Sequence, residues 1–274
     1  MGKVVLINSF KGGVGKSTIT VNLALSLARS VRKVLVVDLD SSSGSAAILL
    51  GADSAIYTFR DVLTGRKPLE SAVSRVSATL PLDMLIAPAE ADDTSIGEAS
   101  LDAFFEKAQL FYDFVIFDCP PGKFPMFGQL VKRSGIIIAV TQHTESSVRA
   151  TERMAAALSE TGCESAKVKL IINRFEAKDV KTAVRPGIVE IIERTKIALL
   201  GVIEHNSAIE RSAESGKFLH TLKDKEAKYA VAAFDGIAKR LIDESNDKSL
   251  DKKYGGIKTA ELFYRNDKYN HTGK

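Results

Sequence analysis

The residues best suited to chemistry form a glycine-rich segment at positions 11–18, with the sequence Lys-Gly-Gly-Val-Gly-Lys-Ser-Thr. The segment comes soon after an apolar run at 4–8 and leads into a helical pattern at 17–28. In that position, the backbone N–H groups of a loop and of the first helical turn can wrap a chain of phosphates. The residues predicted to bind phosphate are Lys11, Gly12, Gly13, Val14, Gly15, Lys16, Ser17 and Thr18.

Three side chains of this segment have distinct predicted roles. Lys16 is placed to neutralise the terminal phosphate oxygens, which is a catalytic role, and the Ser17 hydroxyl to ligate Mg²⁺. Thr18 is expected on the α-phosphate side. A plain glycine turn between a strand and a helix would require neither Lys16 nor Ser17. The segment therefore predicts a site for a nucleotide with Mg²⁺.

The start of the segment departs from the ordinary phosphate-loop pattern, because Phe10 stands where that pattern has glycine and Lys11 follows it. A second lysine either places two cations near one triphosphate or extends to the site of a neighbouring subunit. Lys11 is therefore a second candidate for nucleotide binding and catalysis.

Carboxylates stand at the ends of two other apolar runs, where ligands bind in open α/β sheets. Asp38 and Asp40 follow the run that begins at 34, and Asp118 ends the run that begins at 114. We predict that Asp40 orients or deprotonates the attacking water, that Asp38 holds either the Mg²⁺ shell or the switch loop, and that Asp118 contacts Mg²⁺ through water. The alternative is that Asp38 and Asp40 merely cap a strand.

The elements that must position these residues alternate along the chain. Strands are predicted at 4–8, 34–38, 84–87, 114–118, 136–141 and 168–173, and helices at 17–28, 100–111, 146–160, 187–194, 206–215 and 225–242. Continuous apolar strands that alternate with amphipathic helices are typical of a parallel sheet covered on both faces. The predicted fold class is α/β, with a mainly parallel twisted sheet and helices on both faces.

The segment at 141–149 joins a predicted strand to a predicted helix. Thr144 or Glu145 can cap that helix, which is the alternative to a functional role for the segment. His143 is predicted to be a loop side chain and not a metal ligand, because no second metal-binding residue lies nearby in the sequence.

Together these motifs resemble the MinD/ParA family of deviant Walker A P-loop ATPases, over about residues 3–242. The matching segments are the phosphate loop, Asp-Cys-Pro-Pro-Gly at 118–122, the segment at 141–149, which lacks the family's proline, and Asn173-Arg174. Serines at 41–43 replace the Pro-Gln-Gly that is usual in ParA proteins. That difference favours a MinD-like protein.

The resemblance implies that the chain binds ATP and ADP, hydrolyses ATP, and forms an ATP-dependent homodimer in which Lys11 reaches across to the partner subunit. It also implies that Gly122 presents its N–H group to the γ-phosphate, and that Asn173, with Arg174 beside it, recognises the adenine edge. The residues Glu-His-Asn at 204–206 replace the proline and aspartate found there in the family. The resemblance therefore does not identify the residues that pack on the other face of the adenine.

Composition limits the class of protein. The 274 residues, 45% of them hydrophobic, suffice for one large domain, and 38 basic against 34 acidic residues give only a mild positive charge. The two cysteines are too few for a disulfide framework, which favours the cytoplasm, and they form no Cys-x-x-Cys pair that could hold a metal. No signal peptide or membrane-spanning run is recognisable. We predict an ATPase domain at 1–244 and a flexible or loosely docked tail at 245–274.

The sequence is compatible with four functions. The first is a MinD-like switch in cell division or spatial organisation, with an unidentified activating protein and a peripheral membrane surface as partners. The second is a ParA-like ATPase that partitions DNA or cargo and binds DNA non-specifically at the nucleoid. A metallochaperone-type ATPase is less favoured because it needs paired thiols. A tyrosine autokinase is less favoured because Tyr254, Tyr264 and Tyr269 are too widely spaced.

Overall fold

A computed structural model describes residues 1–40, 45–52, 54, 56–87, 97–182 and 184–243. The predicted tail at 245–274 and the serines at 41–43 lie outside these ranges, so the domain boundary at residue 244 stays a prediction. Among the helices within these ranges, none combines the length and the apolar character that a membrane span requires.

The described residues form one sheet of eight strands. The strands are β1 Lys3–Asn8, β2 Val34–Asp38, β3 Ser74–Arg75, β4 Leu82–Ile86, β5 Phe114–Asp118, β6 Ile136–Gln142, β7 Val168–Phe175 and β8 Ala198–Glu204. Their order across the sheet is β3-β4-β2-β5-β1-β6-β7-β8, and β3 pairs antiparallel with β4 while every other pair is parallel. The strand predictions are confirmed, but β8 and the short edge strand β3 were not predicted.

Helices connect the strands. They are α1 Lys16–Arg29, α2 Ser45–Leu50, α3 Phe59–Leu63, α4 Leu69–Ala72, α5 Glu98–Phe111, α6 Phe127–Arg133, α7 Glu145–Glu160, α8 Ala177–Lys181, α9 Ile188–Thr195, α10 Ser207–Ser215 and α11 Lys225–Asp243, with 3-10 turns at Ser165–Lys167 and Leu219–Thr221. The predicted helices all appear. The shorter ones were not predicted because they span too few residues to show a helical period.

Both faces of the sheet are buried, as continuous apolar strands require. Along β1, Val4 and Leu6 pack into a core with α5, α7 and α9, whereas Val5 and Ile7 pack into a second core with α1 and α11. The α/β fold with helices on both faces is therefore confirmed. On β8, a Cβ atom at Gly201 would lie 2.5 Å from Ile237 of α11, so glycine lets this helix lie directly against the strand.

The parallel strands bring the predicted site together. Asp38 at the end of β2 and Asp118 at the end of β5 are direct neighbours across the sheet, and Asp118 is also aligned with Ile7 of β1. The carboxyl ends of β1, β2 and β5 therefore meet where the chain leaves β1 for the phosphate loop and α1.

Candidate nucleotide-binding site

The phosphate loop has the backbone that its glycines predict. Gly13 and Gly15 have φ angles of 73° and 96°, which lie in the left-handed region that favours glycine. Gly15 is the N-cap of α1, and no side chain caps this helix. The first N–H groups of α1 are thus directed at the loop without a side-chain acceptor, which is the arrangement that binds an anion at a helix start.

Asn173, near the end of β7, forms a hydrogen bond to the backbone of this loop. Its Nδ2 atom donates a hydrogen bond of 2.8 Å to the Val14 carbonyl, and the side chain is 4% exposed. A Cβ atom at Gly15 would lie 2.3 Å from the same Nδ2 atom, so only glycine permits this approach. The contact places Asn173 beside the phosphate loop, and recognition of adenine by this residue stays a prediction.

Asp118 is completely buried beneath the loop. Its Oδ1 atom accepts a hydrogen bond of 2.9 Å from Thr20 of α1, whereas Oδ2 is buried without a hydrogen-bond partner among the described residues. Burial raises the pKa of Asp118 to about 7; the Asp38 charge adds to the rise, while Ser17 and Lys16 oppose it. A carboxylate in such surroundings is stabilised when a cation is supplied.

Asp38 lies next to Asp118 and is also buried. The N–H groups of Asp40 and Ala47 donate to its two carboxylate oxygens at 3.0 and 3.1 Å. Burial raises the pKa of Asp38 in spite of these hydrogen bonds, and the nearby charge of Asp40 raises it further. Asp40 itself is 7% exposed and lies two residues past the end of β2.

These residues fit a hydrated Mg²⁺ ion. The unpartnered Oδ2 of Asp118, the second carboxylate of Asp38 and the Ser17 hydroxyl at the start of α1 are oxygen donors of the kind Mg²⁺ prefers. The described part of the chain contains no group of three or more His, Cys, Asp or Glu residues that could hold a metal by themselves. A metal here would therefore rely on Ser17, on water and on the oxygens of a bound nucleotide.

Lys16 and Lys11 occupy different environments. Lys16, the first residue of α1, is 7% exposed and influences the pKa of Asp118. Lys11 is only partly buried, and its ammonium donates to the hydroxyl oxygens of Ser146 at 2.9 Å and Ser147 at 3.2 Å. In the isolated subunit, Lys11 is thus held by the start of α7.

Gly122 has the left-handed backbone expected of the turn after β5, with φ of 83°. Its N–H group donates to the Ser9 carbonyl at 2.8 Å, and its carbonyl accepts from Asn8 at 3.2 Å. In this arrangement, the N–H group of Gly122 is occupied by β1 and the loop that follows. Contact with a γ-phosphate, as predicted from the resemblance, would require this turn to shift.

A cleft lies on the other side of Asn173. Its lining comprises Gly15, Thr18, Asn173, Arg174, Glu204, His205, Asn206, Ile209, Glu210 and Ala213. Arg174 has φ of 52°, which is unusual for a residue with a side chain, and its guanidinium lies 4.0 Å from Glu210. Because Thr18 and Gly15 of the phosphate loop also line this cleft, it is the candidate site for the base of a nucleotide.

The segment after β6 joins these parts. Gln142 donates to the Gly13 carbonyl at 3.4 Å, and Thr144 caps α7 by accepting from the Ser147 N–H at 3.4 Å. Of the two residues that could cap this helix, Thr144 is the one that does so. His143 lies in the loop between β6 and α7, as predicted, and its ring is completely buried and contacts Phe175 at 4.8 Å between centroids.

Several contributors were missed from the sequence. Thr20 lies one helical turn beyond Lys16 and bonds Asp118, while Asn8 bonds the turn at Gly122 from the end of β1. Both are polar residues at buried positions of apolar elements, and that pattern is the one signal that could have identified them. The roles of Ser146 and Ser147 depend on a contact between residues 135 and 136 positions apart.

Comparison with known proteins agrees with this geometry. Residues 5–219 match the family model described as the CobQ/CobB/MinD/ParA nucleotide binding domain. The septum site-determining protein MinD of Synechocystis is 28% identical over 242 residues, which covers 88% of this chain and 90% of that protein.

Solved structures give the same result. The chain is 26% identical to a protein in the MinC:MinD cell division complex of Aquifex aeolicus, with 89% and 97% of the two chains covered and a TM-score of 0.78. A ParA family ATPase from Chlorobium tepidum shares the fold at 20% identity, with 87% and 99% coverage and a TM-score of 0.73. The predicted resemblance, including its leaning towards MinD, is confirmed: this chain belongs to the CobQ/CobB/MinD/ParA nucleotide-binding family.

Proposed function

We propose that the chain is an ATP-binding and ATP-hydrolysing switch of the MinD type, which dimerises when it binds ATP and separates after hydrolysis. One observation carries the proposal: several charged or polar groups meet at the phosphate loop. They are Lys16, the N-terminal N–H groups of α1, which no side chain caps, and the buried carboxylates of Asp38 and Asp118. Phosphate and a divalent cation are the ligands that this combination of charges favours.

The residues divide the work as follows. The phosphate-loop N–H groups and Lys16 hold the phosphates, while Ser17, Asp38 and Asp118 hold Mg²⁺ directly or through water. Bound Mg²⁺ would supply positive charge to the phosphate oxygens. Asp40, buried beside this group and close to Asp38, orients the attacking water.

Lys11 is the residue through which the proposed switch would dimerise. It lies at the edge of the loop and is bound by hydroxyl groups, which are weaker partners than a carboxylate or a phosphate. We therefore infer that Lys11 leaves Ser146 and Ser147 when a second subunit presents its nucleotide, and that the homodimer forms around two ATP molecules.

The names of the relatives support a cellular role for the proposed switch. The Synechocystis relative is named a septum site-determining protein, and the Aquifex relative is solved with MinC in a cell division complex. We propose that this chain positions or regulates a partner in cell division or spatial organisation, that a second protein stimulates its hydrolysis, and that it works in the cytoplasm and at a surface that it visits as a dimer.

The test measures molecular mass in solution with ATP and Mg²⁺ for wild type, Lys11→Ala and Asp40→Ala. We expect wild type to alternate between monomer and dimer as it hydrolyses ATP, Asp40→Ala to accumulate as a dimer, and Lys11→Ala to stay monomeric. Lys239→Ala is the matched control, because it removes an exposed lysine from α11, away from the loop. A monomer in every case would exclude the dimeric switch.

Co-sedimentation of the ATP-bound Asp40→Ala protein with anionic vesicles and with DNA, at two salt concentrations, identifies the surface. Binding to DNA that weakens with salt and no binding to vesicles would favour the ParA-like function over the MinD-like one.

A further inference from the structure

His143 is a buried histidine that the proposed mechanism does not use. It follows β6 and directly precedes Thr144, the N-cap of α7. The N–H group of Glu176 donates to its Nε2 atom at 3.2 Å, and Nη1 of Arg185 lies 3.2 Å from the same atom. Both neighbours can only donate, so Nε2 must be the unprotonated acceptor and Nδ1 carries the hydrogen.

The ring contacts the bend that follows Asn173. Besides the Glu176 N–H group, it packs on the Phe175 ring, and the Arg174 carbonyl lies near enough to influence its pKa. His143 therefore supports the three residues that come directly after Asn173. The first of them, Arg174, has the left-handed φ of 52° and lines the cleft assigned to the base.

We propose that His143 is a positioning residue for the base of the nucleotide: its neutral ring holds the bend at 174–176 so that Asn173 and Arg174 face the base cleft. The inference rests on the proposed function, since it presupposes that this site binds ATP. It concerns the base end alone, because the hydrogen bonds of His143 reach Glu176, just before α8, and Arg185, just after it, and not the phosphate loop.

Protonation of His143 would undo this support. The charged groups that face the ring are Arg185, Asp179 and Glu176, and Arg185 is itself paired with Asp179 at 3.1 Å. Burial, and then the charge of Arg185, lower the pKa of His143 below its ordinary value. An added proton would replace the acceptor at Nε2 with a donor that faces the Glu176 N–H group and the Arg185 cation.

The experiment measures binding of ATP and of inorganic triphosphate by calorimetry for wild type, His143→Phe and His143→Gln. The Gln side chain can place an acceptor oxygen near the position of Nε2, whereas Phe fills the space without one. We expect His143→Phe to bind ATP about tenfold more weakly and triphosphate unchanged, because the bend relaxes when the Glu176 N–H group loses its acceptor and must be reordered when the base binds. His143→Gln should bind ATP within about twofold of wild type.

The pH profile provides the second readout. Between about pH 7.5 and about pH 5.5, wild-type affinity for ATP should fall relative to that of His143→Gln, because only wild type has the titrating ring. Groups that titrate in both wild type and His143→Gln affect both affinities equally, so their effect cancels in the ratio of the two ATP affinities. His220→Gln, which removes a half-buried histidine whose pKa is also lowered by burial, should follow the wild-type profile.

Three results would overturn the proposal: wild-type affinity in His143→Phe, an equal loss of ATP and triphosphate binding, or an affinity ratio that does not change with pH. If wild type binds neither ATP nor triphosphate, the proposed function fails and this inference fails with it. Normal binding by wild type with an unaffected His143→Phe variant would reject the role of His143 alone.

Discussion

The Nζ atom of Lys11 lies 2.9 Å from the Oγ atom of Ser146, so the first lysine of the phosphate loop is bound to the start of α7 in its own subunit. Ser147 provides a second acceptor at 3.2 Å and also takes part in the cap of the helix with Thr144. Dimerisation through Lys11 therefore competes with an existing pair of hydrogen bonds.

Removal of the Ser146 hydroxyl should favour the dimer. In Ser146→Ala, Lys11 loses its shorter hydrogen bond, and we expect half-maximal dimerisation at an ATP concentration about two- to fivefold lower, as loss of one modest hydrogen bond implies. The measurement is sedimentation velocity over an ATP titration. Ser159→Ala, on an exposed position of the same helix, is the control and should match wild type. Weaker dimerisation of Ser146→Ala would contradict the inference that the hydrogen bond from Lys11 to Ser146 competes with dimerisation.

Substitution of Gly15 should damage the loop. Alanine at this position would have φ of 96° and a Cβ atom 2.3 Å from Nδ2 of Asn173. We expect Gly15→Ala to lose about 1–3 kcal/mol in the free energy of unfolding by urea, together with ATP binding. Gly128→Ala, in α6 with nothing within 4 Å of the added atom, should be neutral or slightly stabilising.

The charge state of Asp118 should make stability depend on pH. Because the pKa of Asp118 rises on folding from its ordinary value of 3.8 to about 7, the folded protein binds the proton more tightly than the unfolded chain. This contribution to stability is present at low pH and is lost as pH rises from about 4 through about 7.

Asp118→Asn removes this titration. Without nucleotide, the melting temperature of Asp118→Asn should therefore exceed that of wild type by more at about pH 8 than at about pH 5. Scanning calorimetry over that range provides the measurement. A constant difference between the two proteins would show that Asp118 is not protonated on folding.

Thr20 should matter most when Asp118 is ionised. Thr20→Val keeps the shape of the side chain but removes the 2.9 Å donor to Oδ1, which opposes the rise in the pKa of Asp118. We expect a loss of about 1–3 kcal/mol in stability at high pH and a smaller loss at low pH. A double-mutant cycle with Asp118→Asn checks this, and independent effects of the two substitutions would argue against their coupling.

Local signals predicted much of this molecule. The continuous apolar strands and the helices of eight or more residues were found because burial on both faces and helical periodicity leave repeating patterns. The helix cap at Thr144 follows from the short-range preference for a side-chain oxygen before the first turn. By contrast, β8 was not predicted, because Gly201 interrupts its apolar run and glycine is unfavourable inside a strand. The reason for this glycine, the close approach of Ile237 from α11, is visible only in the tertiary structure.

The amino-acid sequence alone determined that residues 11–18 form a phosphate loop between a strand and a helix, and that carboxylates follow neighbouring strands, because these features depend on residues close together in the chain. The tertiary structure decided which distant residues meet: Asp38 beside Asp118, Asn173 under Gly15, Lys11 on Ser146, and His143 under the bend after Asn173. Strand order and helix packing set these contacts, and neither is encoded in a local pattern of residue types.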